Sequence, residues 1–169
     1  LIDKSKINNI KVGNISDDFD VVKDADWIVE AVVERIDIKH QIYEKIFKVR
    51  KDGAIVSSNT SSIPIKVLSE HLTDIEKKEF CITHFFNPVR NMGLLEIVKN
   101  ENNDLNKMNQ LKEFSEVELG KGGIVGNDTP GYWGNREGVD ESQGESQSKT
   151  SHAMLYQKQE FDNYTLSLN

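Results

Sequence analysis

The sequence predicts an α/β domain built on a mainly parallel sheet, and three observations carry that reading. Short, nearly unbroken apolar runs recur at residues 27–33, 54–57, 79–85 and 94–98, as strands buried on both faces require. Between the first two runs the period changes, and Ile38, Ile42, Ile46 and Val49 make one helical stripe. Strands that alternate with helices select the α/β class. The third observation is where the pattern stops. Between Asn135 and His152 the only clearly hydrophobic residue is Val139. Such a stretch buries too little apolar surface to offset its ordering entropy, so residues 137–152 are expected to be mobile.

Taken in order, residues 7–15 alternate around Ile10 and Val12 and read as a short strand. Ser16, Asp17 and Asp18 then read as a cap for a turn through Val21 and Val22. Residues 27–33 form a buried strand, 34–50 a helix and 54–57 the next strand. Pro64 suits a first helical turn and opens a short helix with Ile65, Leu68 and Leu72 inward. Strands follow at 79–85 and 94–98. Leu105, Met108, Leu111, Phe114 and Val117 line another helix, which Gly120 can cap. Ile124 and Val125 make a last strand before the turn Asp128-Thr129-Pro130-Gly131. The final residues, with Met154, Leu155, Tyr156 and Phe161, read as a loose helix.

Composition excludes several classes of function. The net charge of −7 and the lack of a Lys/Arg stripe argue against a nucleic-acid surface. No apolar run approaches the ~20 residues of a membrane span. Leu1-Ile2-Asp3-Lys4 does not read as a signal peptide, and without a start methionine the chain is expected to begin inside a longer protein. Cys81 is the only cysteine, which leaves no disulfide framework or thiolate zinc site and fits a reducing, cytosol-like compartment. The four histidines (40, 71, 84 and 152) show no ligand pair at helical or hairpin spacing, so no metal is expected. Gly120-Lys121-Gly122-Gly123 begins like a phosphate loop but runs from helix to strand, the wrong order.

In an open α/β sheet, ligands bind beyond the carboxyl ends of the strands. Glu34, the Asn59–Ser62 stretch, the His84–Asn87 stretch and Asn127-Asp128 each follow an apolar run, so four strands are expected to deliver polar groups to one rim. Two residues stand out inside the runs themselves. His84 closes one, and Glu96, twelve positions later, interrupts another. A carboxylate there is costly unless paired or wet. On the residues alone, His84 reads either as a base or as a satisfied core histidine, and Glu96 as its partner or as the wet position of an edge strand. Ser61 and Ser62 read as helix caps or as site hydroxyls, Lys39 as a solvated charge and Cys81 as core.

The stretches DADWIVEAVVERIDIK, SSNTSSIPI, THFFNPV, LLEIV and NDTPGYWGNR, in this order, resemble the NAD-binding domain of the 3-hydroxyacyl-CoA dehydrogenases. The likeness runs from about Asp24 to Arg136, roughly two-thirds of the chain. It implies a partial Rossmann-like, doubly wound fold over residues 1–136, with residues 137–169 as a tail unlike the family. It also implies roles. His84 would be the catalytic base and Glu96 its partner, while Ser61 and Asn135 would assist at the substrate oxygen. Glu34, Lys39, Ser61 and Asn87 would contact NAD.

The implied reaction is the oxidation of an L-3-hydroxyacyl-CoA to a 3-ketoacyl-CoA in fatty-acid β-oxidation, or its reverse. A secondary alcohol is a poor acid, so hydride leaves its carbon more easily when a base takes the hydroxyl proton. A carboxylate on the other imidazole nitrogen fixes the tautomer and stabilises the imidazolium. The resemblance further implies a homodimer or multifunctional complex, in the cytoplasm or, in a eukaryote, the mitochondrial matrix. The family's glycine-rich loop and C-terminal helical domain have no counterpart in this sequence, and Tyr132 and Trp133 replace residues usually phenylalanine and small aliphatic. A truncated or frame-shifted reading is therefore expected, one inactive on its own. A remnant that binds a partner without catalysis is the alternative.

Overall fold

All four residues of β1 (Trp27–Glu30) and all four of β2 (Ile55–Ser58) are buried, as strands covered on both faces must be. The computed structural model describes residues 9–126 and the backbone of 127 and 154–156. Its sheet also holds β3 (Phe80–Phe85), β4 (Leu94–Lys99), β5 (Gly122–Asn127) and β6 (Met154–Tyr156), in the order β5-β4-β3-β2-β1-β6. The helices are α1 (Ile36–Val49), α2 (Ile65–Leu68), α3 (Asp74–Lys77) and α4 (Leu105–Val117), preceded by a 3-10 helix at Phe19–Asp24.

Strand alternation divides the core in two. Ile28, Val56, Phe80, Ile82 and Val98 face α1 and α2, packing on Tyr43, Ile46, Ile65 and Leu68. Trp27, Val29, Ile55, Cys81, Leu95 and Ile97 face the other way, onto Met108 and Leu111 of α4. The α/β fold class is thus observed. Cys81 is core, and burial pushes its thiol up to about 12, which makes it inert.

Several elements differ from expectation. Residues 9–15, the described part of the expected first strand, form no strand, and Val12 is 72% exposed. The Asn14 side chain accepts the N–H groups of Ser16 and Asp17, and Asp18 accepts that of Asn14. These local bonds turn the chain away from any ladder. The buried face of α1 is centred on Lys39, Tyr43 and Ile46, rotated from the expected stripe through Ile38, because a carboxylate on the sheet attracts the polar ends of the first two. The short helix α3 was not expected, although Thr73 and Glu76, three residues apart, form a capping box around it. The loose helix expected at the C-terminus is instead, at 154–156, a strand antiparallel to the open edge of β1.

Strand direction decides what reaches the rim. β1, β2 and β3 are mutually parallel, so their carboxyl ends lie together. β4 runs antiparallel to β3, and β5 runs parallel to β4. The carboxyl end of β5, where Asn127 pairs with Lys99, is therefore at the opposite edge. Three strand ends, not four, supply the rim. Asp128, Asn135 and the 137–152 segment lie outside the described residues.

The α4 face depends on the start of that helix, where Asp104 accepts the N–H groups of Asn106 and Lys107. Asp104→Ala should cost about 1 kcal/mol of stability, read as a lower urea midpoint at unchanged slope. An unchanged midpoint would show that α4 is held by packing alone.

Candidate active site

His84 and Glu96 are directly paired residues of the antiparallel β3–β4 ladder, so their side chains leave the same face. His84 Nδ1 lies 3.1 Å from Glu96 Oε2, with side chains 16% and 5% exposed. The twelve-residue separation is what makes this pairing: β3 ends, the chain reverses through residues 86–93, and β4 returns in register. Glu96 is thus neither a wet edge position nor a core anomaly. An ionised Glu96 accepts the Nδ1–H, which leaves Nε2 with the lone pair on the far side of the ring. Phe86 flanks the imidazole, ring centroids 4.6 Å apart.

The loop after β3, which carries the exposed Asn87, is fixed from β5. Lys121 donates to the carbonyls of Val89 and Met92, each at 2.6 Å, and the Gly122 N–H donates to Gly93 O at 2.6 Å. The glycine-rich stretch dismissed as a false phosphate loop is therefore a clamp on the rim. Asn59 does similar work at the end of β2, accepting the Phe85 N–H at 2.9 Å and donating its own N–H to Glu30 O at 2.7 Å.

Ser61 and Ser62 do not cap α2, whose first turn has no side-chain cap. They turn towards Glu34. One oxygen of that carboxylate accepts the Thr60 hydroxyl, the Ser61 N–H at 3.2 Å and the Ser62 hydroxyl at 3.2 Å. Its other oxygen is 3.3 Å from the Lys39 ammonium. Half-burial pushes the Glu34 carboxyl up, but the Thr60 hydroxyl, the Lys39 charge and the Ser61 N–H together outweigh it. The net position is below the ordinary carboxylate value.

Lys39 is not the solvated charge its place on a helix suggested: it is 1% exposed. Its ammonium bonds Glu30 at 2.8 Å and also faces Val32 O at 3.4 Å. Glu30 itself escaped the sequence reading. The criterion that singled out Glu96, a carboxylate inside an apolar run, applies equally to Glu30 in residues 27–33. It accepts from Val32 N, Lys39, Tyr43 and Ser58 and has a fully buried side chain. Burial, then the Glu30 charge, pushes the Tyr43 phenol well above its usual range.

Two histidines that sequence spacing kept apart do meet in space. His40 on α1 and His71 stack edge-on at 4.4 Å, beside Glu70. Glu70 and His71 are exposed. Of the predicted site residues, the rim thus gathers His84, Glu96, Ser61, Glu34, Lys39 and Asn87, and Asn135 lies outside the described residues.

The model of the 3-hydroxyacyl-CoA dehydrogenase NAD-binding domain matches residues 2–129. A Deinococcus radiodurans protein named "Probable 3-hydroxyacyl-CoA dehydrogenase" is 42% identical over 138 residues, which cover 82% of this chain and 40% of that one. The fatty acid oxidation complex subunit alpha of Idiomarina loihiensis is 40% identical, covering 80% of this chain and 19% of its own length. Among solved structures, the (S)-3-hydroxybutyryl-CoA dehydrogenase of Ralstonia eutropha superposes with a TM-score of 0.62 at 31% identity, over 68% of this chain and 40% of that one. The chain therefore spans about two-fifths of the first relative and about one-fifth of the second.

The Glu34 bonds predict a pH effect. Its folded value lies below the ordinary one, so its contribution to stability is present above pH 4.5, its ordinary value, and is lost as pH falls through the folded value. Thr60→Val should weaken that contribution and move acid unfolding to higher pH, followed by circular dichroism. Identical acid transitions for the two proteins would remove Thr60 as the cause.

Proposed function

Because this chain belongs to the 3-hydroxyacyl-CoA dehydrogenase family, NAD-binding domain, we propose that the protein carrying it oxidises an L-3-hydroxyacyl-CoA to a 3-ketoacyl-CoA, or runs the reverse. The observation that carries this reading is the His84–Glu96 pair at 3.1 Å on adjacent strands at the rim. His84 Nε2 takes the hydroxyl proton of the substrate as its carbinol carbon gives up hydride. Glu96 holds the ring by Nδ1 and stabilises the imidazolium while the proton resides there. Ser61, exposed at the same rim, donates a hydrogen bond to the substrate oxygen, a role the resemblance also implies for Asn135, which lies outside the described residues.

NAD, when bound, supplies the hydride acceptor. The residues present fit its ribose–nicotinamide end. Glu34 offers a carboxylate 38% exposed, the natural acceptor for sugar hydroxyls; Ser61 is exposed beside it, and Asn87 is exposed on the loop after β3. Among the described residues no strand runs through a glycine-rich turn into a helix N-terminus, so the pyrophosphate hold is not furnished by them. Lys39 serves the cofactor through Glu34. The Idiomarina loihiensis likeness supports work within a larger fatty-acid oxidation assembly. Among the described residues no helix is long and apolar enough to cross a membrane. We place the protein in the cytoplasm, or in the matrix in a eukaryote, where the single buried Cys81 is consistent with a reducing medium.

In the full-length protein, His84→Gln should lower kcat with 3-hydroxybutyryl-CoA by roughly 10²–10⁴-fold, with KM little changed, measured as NADH absorbance. Glu96→Gln should lower it less, since the base remains but loses its orienting charge. Full turnover by His84→Gln would refute the assignment of the base.

A further inference from the structure

We infer that Glu30 is a positioning residue for this site, one that acts through Lys39 and Glu34 to set where Ser61 stands. The inference rests on the dehydrogenase reading for its functional consequence, but its geometry is independent of it. Glu30 uses both oxygens twice. Oε1 accepts from Val32 N at 2.6 Å and Lys39 Nζ at 2.8 Å, and Oε2 accepts from Tyr43 and Ser58 hydroxyls at 2.7 Å each. Its position is therefore fixed by β1, α1 and β2 together.

The Lys39 ammonium stands between this fixed carboxylate and a looser one. Its three N–H bonds are matched by Glu30, Glu34 at 3.3 Å and Val32 O. Glu34 is in turn shared between Lys39 and the Thr60–Ser61–Ser62 turn. An ionised Glu30 holds the ammonium back, so Glu34 keeps its bonds to the turn. Were Glu30 uncharged, Lys39 would have Glu34 as its one carboxylate and would draw it away from the Ser61 N–H. The β1–α1 and β2–α2 loops would then part at the point where the substrate oxygen is expected.

Glu30→Gln is a clean probe. The amide oxygen can still accept from Val32 and Lys39, and the amide N–H groups can donate to Tyr43 and Ser58, whose hydroxyls also accept. Charge is lost while shape is kept. The double variant Glu30→Gln/Lys39→Met removes both buried charges, a change that proteins often tolerate without loss of stability. The experiment uses the full-length protein and four readouts: thermal midpoint, the amide resonance of Ser61 without cofactor, NAD affinity by calorimetry, and kcat/KM.

For Glu30→Gln the expected result is a shifted Ser61 amide signal and NAD affinity and kcat/KM lower by about 10- to 100-fold. In the double variant the midpoint should return to the parent value while affinity and kcat/KM stay low, because Glu34 has lost its anchor. Recovery of affinity and rate together with the midpoint would mean that Glu30 is structural only, and would overturn the inference. So would an unmoved Ser61 amide in Glu30→Gln, which is read without cofactor or turnover. Should Glu30→Gln alone fail to fold, the double variant decides by its Ser61 amide signal, read without cofactor: a shifted signal supports the inference and an unmoved one overturns it. Failure of the dehydrogenase reading looks different: His84→Gln keeps its activity while the Ser61 shift in Glu30→Gln still appears.

Discussion

A carboxylate moved out of water without partners costs several kcal/mol or gives up its charge. This sheet places two of them, Glu30 and Glu96, on one face. Alternation puts Glu30 and Ser58 on the same side as Ile28, Val56 and Ile82, and His84 and Glu96 further along that side. The face is apolar beneath α1 and α2 and becomes ionic at the rim. The requirement that both carboxylates be satisfied explains much of the local architecture. It accounts for the burial of Lys39, the inward phenol of Tyr43 and the end of β1 at Glu30, where the side chain takes the Val32 N–H that a continuing ladder would need.

The antiparallel return of β4 is the second constraint. A parallel strand beside β3 would have needed a crossover of a dozen or more residues, and Glu96 would have stood far from His84 in sequence. The short reversal through residues 86–93 brings them into direct register. The same reversal turns β5 around, so its carboxyl end and Asn127 leave the rim. What the rim receives from β5 is its beginning, and with it Lys121, whose ammonium fixes the loop bearing Asn87.

Much of this was legible in residue patterns. Apolar runs located β1 to β4, the change of period located α1 and α4, and misplaced polarity singled out His84 and Glu96, while the family resemblance supplied their pairing. Legibility failed where side-chain chemistry overrode periodicity. The stripe through Ile38 counts only hydrophobic residues, so it could not show that α1 would turn Lys39 and Tyr43 inward towards Glu30. Ser61 and Ser62 look like caps because caps are local, whereas their partner Glu34 lies 27 and 28 residues away. The expected strand at 7–15 failed for the opposite reason, since Asn14 and Asp18 bond the nearby backbone more readily than alternation would suggest. Strand direction, which removed Asn127 from the rim, is simply not written in a run of apolar residues.

The two buried carboxylates differ in what faces them, and that difference divides their work. Glu30 is met by an ammonium and three neutral donors, a set that leaves neither oxygen room to move. Its environment holds the carboxylate in one place. Glu96 faces an imidazole, the side chain that readily gains and loses a proton near neutral pH. Under the proposed reaction, the charge opposite Glu96 comes and goes with the proton on that ring. If the assignments were exchanged, a fixed ammonium opposite Glu96 could not accept a proton, and an imidazole under α1 would have no path to the rim. A base needs a neighbour that stays put while the base changes charge, and a binding turn needs an anchor that is itself held from several sides. The sheet holds the two carboxylates on one face with β2 and β3 between them, and under the proposed reaction the ionic network around Glu30 serves the site although none of its four bonds reaches the His84 ring.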